Sequence, residues 1–431
     1  MTASRRSFDR SMAMLARARR SIPGASQTLS KGANMFVEGA YPVFLQRGEG
    51  CRVWDVDGGE YIDYILGLAS ITLGYAYPAV TEAVARQLGE GSIFSLPHPL
   101  EVEVAERLIE VIPCAEQVRF LKTGSEANSA AIRVARATTG RDVIVYCGYS
   151  GWHDWYAITT PRSKGIPKDF ARFIVPFNYN DLPSLDRALD EHYGKVAAVI
   201  MEAVLLDAPG PGFLEGARKA AHDHGALLIF DEIVSGFRWA VGGAQEYFGV
   251  APDLATFGKG MANGLPLSAV VGRAELMREF EDVFVSSTFG GDTLALAAAA
   301  ATIDEYRQKP VIAHLWAAGR RFQDGFKRAA TRTGLPVDCV GFPVHPKIVF
   351  RHAREETNRL LMSLFLQETG RRGVIFHFAG FNISFSHSDA DVAQSLEACE
   401  AALRIVGEAL ADGRVVERLE GRPYEEVFKR S

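Results

Sequence analysis

The stretch Pro252-Asp-Leu-Ala-Thr-Phe-Gly-Lys-Gly-Met-Ala-Asn-Gly-Leu265 decides how this chain is read. Leu254–Phe257 has the look of a short strand, and Lys259 follows between Gly258 and Gly260. Two glycines leave the lysine uncrowded on a tight turn, so a planar group can lie against it. Upstream, the apolar run Ala226–Phe230 ends abruptly in Asp231-Glu232. Burying an unpaired carboxylate is costly, so Asp231 needs a cationic partner. It is either a strand end in a solvated or salt-bridged setting, or a carboxylate facing a protonated ring nitrogen.

Around this pair the texture is of apolar strands separated by helices. Strands are expected at Val143–Cys147, Val196–Val204, Ala226–Phe230, Leu254–Phe257 and Ser268–Gly272. Helices are expected at Pro78–Leu88, Glu101–Ile112, Glu126–Ala137, Leu185–Glu191, Leu214–His224, Thr293–Tyr306 and through Phe322–Ala330. Such alternation predicts an α/β unit with a parallel or mixed sheet covered on both faces. Toward the N-terminus, Phe44–Gln46, Arg52–Val56 and Tyr61–Tyr64, with the turn Asp57-Gly58-Gly59, predict a small antiparallel unit. At the other end, strands at Lys347–Arg351, Gly373–Phe376 and Asn382–Phe385 and helices at Glu355–Glu368 and Ala390–Leu410 predict an α+β unit. The expected division is residues 1–75 as part of a small domain, 76–325 as the large domain and 326–431 as the rest of the small one.

The 431 residues are 48% apolar and 23% charged, with a net charge of −5. That is a globular composition with ample core and no basic excess to attract nucleic acid. No apolar run is long enough to span a bilayer. The five cysteines are scattered without a metal-binding spacing, so they read as reduced structural thiols of a cytoplasmic protein, with no metal site. The basic N-terminal stretch Ser4–Arg20 places Phe8, Met12, Leu15 and Ala16 at helical spacing, which favours a surface helix over a transit peptide.

Thr123-Gly-Ser-Glu-Ala-Asn128 precedes a helix. Its backbone N–H groups and the Ser125 hydroxyl suit a phosphate, although taken alone the motif reads first as a plain N-cap, Ser125 with Asn128 nearby. Two other glycine clusters fail as nucleotide motifs. Gly210-Pro211-Gly212 has a proline and the wrong spacing, and Gly258-Lys259 lacks a following Ser or Thr.

In combination and in this order, Thr123–Asn128, Gly148-Tyr149-Ser-Gly151-Trp152, Asp231-Glu-Ile-Val-Ser-Gly-Phe-Arg238, Lys259 and Ser287-Thr288-Phe-Gly-Gly291 resemble the class III (subgroup II) aminotransferases of pyridoxal 5'-phosphate (PLP) fold type I. The resemblance runs from Ile22-Pro-Gly24 to the last helix. Gly236–Leu254 with Phe257–Gly260 is most similar to the glutamate-1-semialdehyde aminomutase branch. The resemblance implies a large mixed or parallel-sheet domain with a small α+β domain, and PLP as cofactor. Lys259 matches the Schiff-base lysine that also moves protons, and Asp231 the acid paired with the pyridinium nitrogen. Gly124 and Ser125 match the phosphate cradle, Tyr149 and Ile233 the residues on the two ring faces. Thr288 matches a phosphate ligand reaching the neighbouring site of a homodimer. Arg238, Trp152, His153, Glu202 and Lys31 are candidates for the substrate side, Glu202 because Met-Glu-Ala-Val stands where the family has Glu-Pro.

The implied activity is a ping-pong aminotransferase carrying an amino group from an amino-acid donor to an oxo acceptor, sugar-like or a small aldehyde or ketone. Two departures from the aminomutase branch matter. Ser26-Gln-Thr-Leu-Ser-Lys31 replaces its Ser-Pro-Val-Arg, and a lysine does not reproduce a bidentate arginine–carboxylate contact. The segment Ala157–Gly165 is also shorter than its gating loop. Glutamate-1-semialdehyde 2,1-aminomutase, a PLP racemase or epimerase, and a non-catalytic binding protein on the same fold remain the alternatives.

Overall fold

The computed structural model describes residues 6–426. Ser4 and Arg5 of the basic N-terminal stretch, and the extreme ends of the expected small domain, lie outside the described residues. The chain divides into two compact units: Pro78–Ile312, and the described residues up to Tyr77 together with those from Ala313 onward.

In the second of these, β1 (Leu45–Glu49), β2 (Arg52–Asp55) and β3 (Glu60–Asp63) form an antiparallel meander. Its β2–β3 turn is held by Asp55 Oδ1, which accepts from the Asp57 and Gly59 amides. An N-terminal helix, Asp9–Ser21, buries Ser11, Leu15 and Ala18. Of the expected apolar face, Phe8 and Leu15 are buried and Met12 half-buried, while Ala16 is exposed and Ala18 is buried instead.

The Pro78–Ile312 unit holds a seven-stranded sheet made of β4 (Gln117–Leu121), β5 (Val143–Cys147), β6 (Ile174–Pro176), β7 (Val196–Met201), β8 (Leu227–Asp231), β9 (Leu254–Phe257) and β10 (Ser268–Gly272). The spatial order is β4-β10-β9-β8-β7-β5-β6. β10 is antiparallel to both neighbours and the other pairs are parallel, so the sheet is mixed. β7 and β9 are buried at every residue, as a sheet covered on both faces requires. The expected strand Val196–Val204 stops at Met201, and β4 and β6 were not expected. The helix Gly124–Thr139 lies on this sheet through Ala127, Ala130, Ala131, Val134 and Ala135. These small side chains let the helix backbone approach the strands closely.

Past the long helix Val311–Thr333, β11 (Val337–Phe342) and β12 (His345–Phe350) form a hairpin, and β13 (Val374–Ile375) joins β3 in parallel. Helices Glu355–Arg371 and Asp389–Ala411 complete this unit. Asn382–Phe385, expected as a strand, is not one. Its amides bond singly to different segments, Asn382 N to Tyr64 O and Phe385 N to Thr72 O, so no ladder forms. Within the same unit Leu66, Gly67, Leu68 and Ala69 all take left-handed φ values, 50°, 61°, 60° and 71°.

Candidate active site

The carboxyl ends of parallel strands are where an open α/β sheet receives a ligand. Three pieces converge there: Asp231 at the end of β8, the turn after β9 with Lys259, and the start of the helix Gly124–Thr139. The register pairs Asp231 with Thr256, which sets the end of β9 beside the acid.

Asp231 is 4% exposed. Its Oδ1 accepts from the Ile233 amide at 3.0 Å and its Oδ2 from Asn128 Nδ2 at 2.6 Å. Burial pushes its acidity down, raising the pKa, while these two donors and the charge of Lys259 oppose that. Among the described residues no ion pair reaches it. Lys259 is half-buried, with φ at 38°. Desolvation of its amine lowers the pKa, with Asp231 and Glu202 pulling it back up and Arg238 adding to the lowering. The result is an amine disposed to lose its proton, which a nucleophile and base requires.

One side chain explains two of the glycines. A Cβ at Gly124 would come 3.0 Å from Ile233 Cδ1 and Cγ1, and one at Gly258 would come 3.1 Å from Ile233 Cδ1. Ile233 therefore occupies a tight niche between the helix start and the lysine turn. Gly151 is crowded in a different way: a Cβ there would lie 2.2 Å from Ser125 Oγ. Thr123, not Ser125, caps the helix, in a reciprocal pair with Glu126. The plain N-cap reading of Ser125 is thereby corrected: its hydroxyl instead accepts from the Trp152 amide at 3.2 Å.

The segment Gly148–Tyr156 carries Tyr149, which is 48% exposed and packs edge-on against Tyr156. Glu202 Oε1 accepts from the Tyr149 amide at 2.8 Å and fills the space beside Gly148, so its visible task is to hold this peptide. Trp152 is 71% exposed, and His153 Nδ1 lies 2.7 Å from Ser129 Oγ. Arg238 is 1% exposed, with Nε donating to Val234 O, and burial lowers its pKa to about 10. Glu232 is fully buried. Its carboxylate accepts from the Ala244 and Gln245 amides, the Gln245 side chain and the Ser235 hydroxyl.

The Pro78–Ile312 unit thus holds Gly124, Ser125, Tyr149, Trp152, His153, Glu202, Asp231, Ile233, Arg238, Lys259 and Thr288. Lys31 belongs to the other unit, exposed on the single turn Leu29–Lys31. Thr288 is exposed on the turn after Ser287. Sequence reasoning missed Asn128 and Thr256 as site residues. Thr256 Oγ1 donates to Asn128 Oδ1 at 2.6 Å. The available signal was position: Asn128 lies one helical turn after Ser125, and Thr256 lies three residues before Lys259.

The residues fit pyridoxal phosphate. A buried carboxylate with two neutral donors and no contacting cation suits a protonated ring nitrogen. A desolvated lysine suits an aldehyde carbon, and the free amides at the start of the Gly124 helix suit a phosphate.

Comparison with known proteins agrees. The aminotransferase class-III family profile matches residues 36–385. The chain is 38% identical over 411 residues to a 3-aminobutyryl-CoA aminotransferase of Cloacimonas acidaminovorans, covering 93% of this chain and 98% of that one. It is 35% identical over 432 residues to a glutamate-1-semialdehyde 2,1-aminomutase of Syntrophobacter fumaroxidans, covering 94% and 99%. The structure of the PLP internal aldimine form of the Sphingopyxis sp. MTA144 FumI protein superposes with a TM-score of 0.89 at 29% identity, covering 96% and 99%.

Proposed function

The chain belongs to the class-III aminotransferases, and from that premise we propose that it is an intermolecular transaminase rather than an aminomutase. It is a PLP-dependent enzyme of fold type I, moving an amino group from a donor to an oxo acceptor. One observation carries the choice. The Ser26–Lys31 stretch offers no arginine, and Ser26 Oγ donates locally to Thr28 O. A lysine at 31 gives a point charge without the planar fork that grips a carboxylate.

The bound cofactor supplies an electrophilic carbon for the donor amine and a conjugated ring that takes up electrons. The rest falls to the chain. Asp231 would hold the proton of the ring nitrogen by its charge. Ile233 and Tyr149 would bound the ring's two faces, and Gly124 and Ser125 would receive the phosphate. The Lys259 amine, whose pKa desolvation lowers, is the group placed to take the proton from the substrate carbon. Arg238, Trp152, His153 and Glu202 stand as substrate-side candidates, with Arg238 and Glu202 also acting electrostatically on Lys259.

We further propose a homodimer in which Thr288 completes the neighbouring phosphate site. Phe284 and Phe289, on either side of it, are 86% and 58% exposed, a costly display unless another surface covers them. A cytoplasmic location is consistent with five free, buried cysteines; no helix of the described residues is long and apolar enough to cross a membrane.

The test is a half-reaction screen. Donors, 3-amino compounds among them, are mixed with the PLP form, and carbonyl acceptors with the pyridoxamine form, following absorbance. Transfer requiring both an external donor and an acceptor supports the proposal. Efficient conversion of glutamate-1-semialdehyde without an external donor would overturn it.

A further inference from the structure

Asn128 is 1% exposed on the buried face of the Gly124 helix, and every polar group of its side chain is engaged. Nδ2 donates to Asp231 Oδ2 at 2.6 Å and to Ser150 O at 3.3 Å, and Oδ1 accepts from Thr256 Oγ1 at 2.6 Å. A carboxylate and a carbonyl only accept, so the amide nitrogen must face Asp231 and Ser150. The amide oxygen then faces Thr256, whose hydroxyl donates. Thr256 is wholly buried on β9, beside Asp231 in the register.

We propose that Asn128, its amide set by Thr256, is a positioning residue that aims the Asp231 carboxylate at the ring nitrogen and ties it to the peptide carrying Tyr149. This rests on the reading of Asp231 as the cofactor's partner. The carboxylate's two oxygens are each held by one donor from a different element, Ile233 N following β8 and Asn128 from the helix. Losing either frees the carboxylate to rotate about its bond. The same amide nitrogen bonds the residue after Tyr149, so the acid and the ring-face aromatic share one anchor. Three other contacts pin the segment to the helix: Trp152 N to Ser125 Oγ, His153 Nδ1 to Ser129 Oγ and Trp155 Nε1 to Ser129 Oγ. The segment therefore has anchors on the helix besides Asn128.

A buried amide can also serve stability alone, and the experiment separates the two roles. Asn128→Leu, Thr256→Val and Asp231→Asn are compared with the natural protein in two measurements. The first is the pH at which the protonated Asp231 carboxyl appears in the infrared spectrum of the apoprotein, identified by its loss in Asp231→Asn. The other titratable groups facing this carboxyl, Lys259 and Tyr149, are unchanged throughout. The second is the dissociation constant of PLP. A hydrogen bond to a charged group predicts weaker binding by about 10- to 100-fold in Asn128→Leu, with the carboxyl protonating at higher pH. Thr256→Val, which keeps the side-chain shape and secures the test should the leucine variant fold poorly, shifts both readouts the same way by about three- to tenfold in affinity. If both variants titrate and bind as the natural protein does, with only thermal stability lowered, Asn128 is structural and the proposal falls. If Asp231→Asn binds PLP unchanged, the reading of Asp231 fails and takes the proposal with it.

Discussion

At the carboxyl end of β8 the chain buries two consecutive carboxylates in two different regions. Asp231 turns toward the Gly124 helix and Lys259; Glu232 turns toward the loop that runs to Gln245. Glu232 collects donors from Ser235, Ala244 and both the amide and side chain of Gln245. Even Gly243 is shaped to it, because a Cβ there would stand 2.5 Å from Oε2. Asp231, equally removed from water, has two neutral donors. Glu232 closes a loop; Asp231 is left with charge to offer. The lesson is that burial of a charge does not by itself mark function; what stands beside the buried charge does.

The sharpest way to break this comparison is at Lys259, toward which Asp231 turns. Lys259→Ala is expected to cut transamination by about 10²- to 10⁴-fold, the contribution of a positioned proton carrier, with no loss of apoprotein melting temperature. Next comes Asp231→Asn, expected to lower kcat by about 10²- to 10³-fold as the ring nitrogen's charge partner is lost. Because burial raises this carboxyl's pKa, its charge costs the apoprotein stability at neutral pH. The asparagine variant relieves that cost but sets an NH₂ against one of the two donors, Ile233 N or Asn128 Nδ2, so in calorimetry it should lose less stability than a glutamine at the more fully bonded Glu232. A marked drop would place Asp231 with Glu232.

Glu232→Gln should do the reverse. An NH₂ now faces donors, so denaturant unfolding should show a loss of about 2–4 kcal/mol, while kcat per folded molecule moves severalfold at most. The last test concerns His387, buried in the other unit with Nδ1 bonded to Ser384 and Nε2 without a partner among the described residues. Burial pushes its pKa down from 6.5 to about 3, with Asp391 opposing and His314 and Arg52 reinforcing. The folded protein keeps it neutral while the unfolded chain protonates it, so stability is complete above about pH 6.5 and drains away as pH falls toward 3. His387→Phe should remove about 2 kcal/mol of that acid sensitivity by pH 5, measured as the change in unfolding free energy between pH 7.5 and 5. Unchanged transamination in this variant would show that a polar group short of partners needs a neighbouring Lys259, not merely a deficit, to matter for chemistry.

Asp231 and Lys259 were legible in the sequence because each interrupts a local pattern: an apolar strand ending in acid, a lysine between glycines. The mixed sheet was legible because its central strands are continuous apolar runs. Asn128 and Thr256 were not, since a lone asparagine in a helix and a lone threonine in a strand obey ordinary propensities. Their meaning arises only when the fold joins positions far apart in the chain. β4 escaped for a similar reason: Gln117-Val-Arg-Phe-Leu121 is an edge strand with exposed polar residues, and its partner β10 lies far along the chain. Asn382–Phe385 misled because its alternation is real but its amides serve separate carbonyls. In the N-terminal helix Phe8 and Leu15 were legible as core, but small Ser11 and Ala18 are buried where apolar spacing alone pointed to Ala16.

The niche of Ile233 between Gly124 and Gly258 has a consequence for how such a protein can change over generations. A β-carbon at either glycine is crowded by this one side chain, so the three positions are not free to vary one at a time. A lineage that first shortened Ile233 would open both glycines to substitution, whereas one that replaced a glycine first would meet a penalty. The order of mutations, and not only their sum, would decide which variants are reachable.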